Sequence, residues 1–108
     1  MEMKELLDFV ELESVRLINH YGVDLDNDKR ILLRIVKLNE EVGELCDAVL
    51  SYFDSQRKDK LAGFDRQDLD EEFADVIITT LLLAEVMDVD VGKALEKKIE
   101  KINGRYDG

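Results

Sequence analysis

The sequence has no proline and no tryptophan, one cysteine, one histidine and only six glycines in 108 residues. With proline absent and glycine sparse, little interrupts helix, and the expected class is all-α. A lone Cys46 can form neither an internal disulfide nor a thiolate zinc site, which fits a reducing compartment. Basic residues are scarce too, 15 Lys and Arg against 26 Asp and Glu, for a net charge of −11. That excess repels phosphate backbones and anionic lipid surfaces, so neither nucleic acid nor a membrane is expected as a partner. The most apolar stretch, Val76 to Met87, contains Thr79, Thr80 and Glu85 and falls short of the ~20 apolar residues that cross a bilayer. The opening Met1-Glu2-Met3-Lys4-Glu5 lacks the basic-then-apolar layout of a signal peptide, and a cytoplasmic location is expected.

What the sequence does have is helical periodicity. Apolar residues from Leu6 to Tyr21 predict a first helix over 3–21, with Gly22 as its stop. A second helix is expected from Asp28 to Phe53, its seam Ile31, Ile35, Leu38, Val42, Leu45, Val49 and Tyr52 spaced alternately by four and three. A charged connector from Asp54 to Arg66 carries Arg57, Lys58, Lys60 and Gly63. The third helix, Asp68 to Met87, is apolar almost all round and must be central. Asp88-Val89-Asp90 offers a cap for a fourth helix reaching Tyr106, whose stripe Val91, Leu95, Ile99, Ile102 and Tyr106 is expected to face inward. The expected architecture is one domain over 1–108, a compact four-helix bundle. So short a chain buries only about 65% of its extended surface alone. With the all-round apolar third helix, this predicts a homodimer or a dimer of dimers.

Two acidic pairs stand out. Glu41 and Glu44 are three residues apart on one flank of the second helix, and Glu72 and Asp75 repeat that spacing on the third, with Thr79 extending their stripe. A single acidic cluster is ordinarily a solvated helix face. Two such pairs on adjacent helices are different, because carboxylates ~5 Å apart repel by about 3 kcal/mol at an effective dielectric near 20. A cation between them relieves this, and oxygen-only ligands suit Mg²⁺ or Mn²⁺, whose remaining ligands are waters and substrate phosphates. A di-iron bundle centre needs a Glu-x-x-His on each of two helices, and His20 follows no such pattern. The run Asp24-Leu25-Asp26-Asn27-Asp28 starts like a calcium loop, but Lys29 stands where the turn glycine belongs and Ile35 where the bidentate glutamate belongs. Helix capping is the better reading of that acidity.

In order and placement, Glu40-Glu41-Val42-Gly43-Glu44 followed by Glu72-Phe73-Ala74-Asp75 resembles the MazG-like nucleoside triphosphate pyrophosphohydrolases of the all-α NTP pyrophosphatase superfamily. The apolar run after Asp75, the Asp88 to Val91 turn and the tail from Lys98 to Tyr106 extend the resemblance over roughly residues 31–106. It implies Glu41, Glu44, Glu72 and Asp75 as ligands of Mg²⁺, or Mn²⁺, with Glu41 as proton acceptor and Glu40 and Thr79 outside the ligand set. It implies cleavage of the α–β phosphoanhydride of nucleoside triphosphates, canonical or damaged, to monophosphate and pyrophosphate, as nucleotide-pool housekeeping. Lys98, Lys101, Asn103 and Arg105 are the substrate-binding candidates, with the connector's Arg57, Lys58 and Lys60 behind them.

Phosphoribosyl-ATP pyrophosphohydrolases share the acidic pattern, but Val76-Ile77-Ile78-Thr79-Thr80 replaces the histidine-containing segment that usually follows the aspartate. Dimeric dUTPases are longer. The rival from another class is a non-catalytic helical module that dimerises and binds partners, its acidic positions serving as surface charge or as a structural cation site. Cys46 reads as a small core residue rather than a nucleophile. Gly43, unfavourable inside a helix, predicts close approach of another helix or a ligand.

Overall fold

The computed structural model of the protein describes residues 1–57 and 65–107, the side chains of 55–57 excepted. It contains α1 (Met3–Tyr21), α2 (Asn27–Arg57), α3 (Arg66–Val86) and α4 (Val91–Gly104), and no strand among the described residues. No described helix is long and apolar enough to cross a membrane.

Each boundary has a local cause. Gly22 ends α1 with φ +117°, a conformation that disfavours any side chain, and its N–H donates to the Ile18 carbonyl at 2.9 Å. Asp26 opens α2 by accepting from the Lys29 N–H at 2.9 Å, so the acidic run caps a helix as expected. Asp65 caps α3 through the Gln67 N–H at 2.9 Å, and Asp90 caps α4 through the Lys93 N–H at 3.0 Å. Between those two helices Asp88 takes a positive φ of 56°. α2 continues past the expected Phe53 to Arg57, α3 starts at Arg66 rather than Asp68, and α4 stops at Gly104 rather than Tyr106. Lys58, Lys60 and Gly63 lie outside the described residues, as does the side chain of Arg57.

α3 is central, packed against α2 on one side and α1 on the other. Val10 of α1 meets Leu81 and Leu82 of α3, and Leu6, Leu7, Leu17, Ile78 and Val91 close around them. Within this core the buried Ser14 hydroxyl donates to the Glu85 carboxylate.

Several expectations are not met. The helices do not close compactly: the radius of gyration is 17.4 Å, against about 13 Å for a compact domain of this length. The stripe on α4 does not face inward. Val91 packs on the core, whereas Leu95, Ile99, Ile102 and Tyr106 are exposed, Ile99 by 55%. The inner face of α2 is also rotated from the expected seam. Ile31, Leu38, Leu45, Val49 and Tyr52 of that seam are half-buried, but Ile35 and Val42 are exposed, and among the described side chains of this helix the buried ones are Arg34 and Glu41. Among the described residues nothing approaches within 4 Å of a Cβ at Gly43, so none of them is the close neighbour expected there. Cys46 likewise lies exposed rather than in the core.

Candidate metal centre

α2 and α3 run beside each other, so a side chain on the inner stripe of one meets the i, i+3 acidic pair of the other. Glu41 from α2 and Glu72 and Asp75 from α3 each bring a carboxylate oxygen to within 4.8 Å of the others. Glu41 is buried, Glu72 half-buried and Asp75 exposed, which grades the group from the bundle interior to its surface. Glu44 supplies no oxygen to this close trio. It stands near enough to Glu72 to act on its charge.

The electrostatics show strain. Loss of water pushes the Glu72 carboxyl above its usual range, and the negative charges of Glu44, Asp75, Glu41 and Asp68 push the same way. Asp75 is raised by loss of water where its carboxyl faces α2, then by the charge of Glu41 and a hydrogen bond with it, and by Glu71, with Lys37 opposing. The Lys37 ammonium lies 3.1 Å from Glu41 Oε1 and 3.5 Å from Glu40 Oε2, and its pKa is raised above all by the hydrogen bond to Glu41. Among the described residues Lys37 is thus the cation that serves Glu40, Glu41 and Asp75. Glu41 Oε2 and Glu72 Oε2 remain buried with no hydrogen-bond partner. Shielded carboxylate oxygens without donors cost free energy, and a hard cation is the ligand that matches several at once. The residues present thus fit a divalent metal ion.

Two of the trio, Glu41 and Asp75, line a cleft of about 370 Å³ between α1, α2 and α3. Glu40, Glu41, Asp75 and Thr79 line one part of it, and Leu17, Tyr21, Leu33, Val36, Ile78 and Leu82 form apolar walls. Thr79 donates its hydroxyl to the Asp75 carbonyl at 2.7 Å, one turn back along α3. Of the basic candidates, Lys98, Lys101 and Arg105 are exposed on or beside α4, as is Asn103, and none of the four lines the cleft. The cleft's cations are Lys37 and Arg34, which hydropathy reading passed over. The signal was a charged residue inside the apolar run Ile31-Leu32-Leu33-Arg34-Ile35-Val36, seven positions before Glu41 and on the same stripe.

The fold and site thus define an all-α protein with a carboxylate trio suited to a divalent cation beside a partly apolar cleft. The sequence model of the MazG nucleotide pyrophosphohydrolase domain matches residues 31–108, and the chain belongs to that family. No curated protein and no solved structure matches the chain.

Proposed function

We propose that the protein hydrolyses the α–β phosphoanhydride of nucleoside or deoxynucleoside triphosphates, releasing monophosphate and pyrophosphate, with Mg²⁺ as cofactor and Mn²⁺ as a substitute. One observation carries this reading within the family: two buried, donorless carboxylate oxygens, from Glu41 and Glu72, beside Asp75 at the edge of an apolar cleft. A bound divalent ion supplies neutralisation of phosphate charge and a water of lowered pKa. Glu41, Glu72 and Asp75 hold it, with Glu44 joining them from the next turn of α2. Water adds across the anhydride: its oxygen bonds to one phosphorus, the bridging oxygen departs with the other phosphate, and Glu41 takes the proton. Lys37 orients Glu41, Thr79 ties its turn of α3 to Asp75, and Glu40 shares Lys37 from the rim. The apolar walls receive the nucleoside. In this reading Lys98, Lys101, Asn103 and Arg105 meet phosphate across a subunit boundary in a homodimer or dimer of dimers, and the enzyme works in the cytoplasm.

Product analysis tests this directly. Nucleoside triphosphates with Mg²⁺ should give monophosphate and pyrophosphate, EDTA should stop the reaction, and Glu41→Gln and Asp75→Asn should each lower kcat by about a hundredfold or more. A protein stabilised by Mg²⁺ that cleaves nothing would return the chain to the non-catalytic module with a structural cation site.

A further inference from the structure

Arg34 is 6% exposed, at the wall of the cleft, and its Nε is buried without a hydrogen-bond partner. Among the described residues no side-chain hydrogen bond and no ion pair engages Arg34, and Nε is its one nitrogen shielded from solvent. The acid whose charge acts on it most, Glu85, accepts from Ser14 instead. Burial pushes the guanidinium below its usual range, partly offset by Tyr21, Glu85 and Glu13, with Arg30 adding to the fall. A guanidinium stays charged under any ordinary condition. This charged, planar fork therefore has a shielded donor without an acceptor, and the open volume beside it is the cleft.

Position limits what those acceptors are. Arg34 and Glu41 share the inner stripe of α2 seven residues apart, which is about 10 Å along the helix. That separation is on the scale of a nucleoside measured from its α-phosphate to the far edge of its base. Leu17, Leu33, Ile78 and Leu82 are the apolar surroundings a base plane needs, and Tyr21 adds an aromatic face. Lys37, between Arg34 and Glu41, is already engaged by the acids.

We infer that Arg34 reads the base of the bound nucleotide and selects bases that present a carbonyl oxygen to it. This rests on the nucleotide reading above. Arginine offers donors and no acceptor. It pairs in bidentate fashion with edges such as the O6 and N7 of a 6-oxopurine, whereas an exocyclic amino group at the same place meets it donor to donor. The preferred substrates are then guanine, hypoxanthine, uracil and thymine nucleotides, and the disfavoured ones carry adenine or cytosine. A site built around a buried donor discriminates strongly because the wrong base leaves that donor unpaired.

The test uses pairs that differ at the carbonyl and its adjoining ring nitrogen: hypoxanthine against adenine, and uracil against cytosine. Kd is measured by calorimetry for the α,β-methylene triphosphates of all four with Mg²⁺, on the wild type, Arg34→Met and Arg34→Lys. The wild type should bind the oxo member of each pair about ten- to a hundredfold more tightly. Arg34→Met should erase that ratio while amino-base affinity changes by less than about threefold. Arg34→Lys keeps the charge but not the fork, and should lose most of the ratio. Because Arg34→Met removes an unpaired buried charge, its melting temperature should hold or rise, and circular dichroism reports this beside the binding data. Equal affinities within each wild-type pair, or an equal loss for all four ligands in Arg34→Met, would overturn the inference, the latter by placing Arg34 on the phosphate chain. Turnover of the ordinary triphosphates is followed separately. Contrast without cleavage removes the hydrolase reading alone, and cleavage without contrast removes this one alone.

Discussion

Glu72 and Asp75 show how one side chain's titration becomes a property of the fold. Both carboxyls are held above their ordinary range, by loss of water first and by neighbouring carboxylates next. A raised folded-state pKa means that the native protein binds protons more readily than the unfolded chain. The contribution of these groups is therefore fully present below the unfolded carboxylate values near 4 and is lost as pH rises through the folded ones. Without metal, this pair should make the protein melt at a lower temperature at pH 7.5 than at pH 5. Mg²⁺ should reverse much of that loss at pH 7.5 and do little at pH 4, where protons compete for the same oxygens. Glu72→Gln should raise the melting temperature in EDTA at pH 7.5 and flatten the Mg²⁺ response. Scanning calorimetry in EDTA and in Mg²⁺ checks all three, and a Glu72→Gln protein that responds to Mg²⁺ like the wild type would remove Glu72 from the metal centre.

At the scale of the element, α4 is the helix most dependent on its own ends. None of its residues is buried, and its start is fixed by the Asp90 side chain on the Lys93 N–H. Asp90→Ala should cost this helix about 1 kcal/mol. Amide exchange from Lys93 to Ile102 should quicken by about fivefold, while α1 and α3, joined through Val10, Leu81 and Leu82, keep their protection. Unchanged exchange in α4 would mean that something besides the cap holds it. Capping was legible in the sequence because it is local: Gly22, Asp26 and Asp90 act within a few residues of themselves. The acidic i, i+3 pairs were legible for the same reason, as helical periodicity alone puts Glu72 beside Asp75. The rotation of α2 was not. Ile35 and Val42 continue an apolar seam by spacing, yet the neighbouring stripe with Arg34 and Glu41 is the one turned inward. A hydropathy pattern counts Arg34 as surface because it cannot register that a cleft will form beside it. At Gly43 the described residues bring no neighbour within 4 Å of a Cβ, so of the two readings a glycine there allowed, a helix of this chain is not the one that fills the space.

For the whole molecule, the balance between exposed and buried apolar surface is the governing quantity. The accessible area is 8383 Å², whereas a folded monomer of this mass is expected to expose about 6,100 Å². The excess, roughly 2,300 Å² on one chain, is well above the ~800 Å² per partner of a standard interface and of the size that one partner buries in an extensive obligate one. It includes side chains that a solitary domain would cover: Phe73 and Ile77 one turn apart on α3, Ile35, Val42 and Phe53 along one flank of α2, and Leu95, Ile99 and Ile102 on α4. These are the positions at which the lone chain departs from the compact bundle that its periodicity predicts, because periodicity shows that a face is apolar without showing whose surface covers it. A second copy of the chain is the occupant required by the proposed dimer, and it would also bring basic residues of α4 to an acidic site that has few of its own. Light scattering should then give a mass of two or four times 12.4 kDa. Ile77→Glu and Ile99→Glu should each shift that mass toward the monomer, since burying either aliphatic side chain is worth about 1.5–3 kcal/mol per subunit and burying a carboxylate in its place costs more. If pyrophosphohydrolase activity falls with the mass and returns at high protein concentration, the active site needs its partner. A wild type that scatters as a 12.4 kDa monomer at every concentration and remains fully active would show that the open arrangement of helices is the working enzyme.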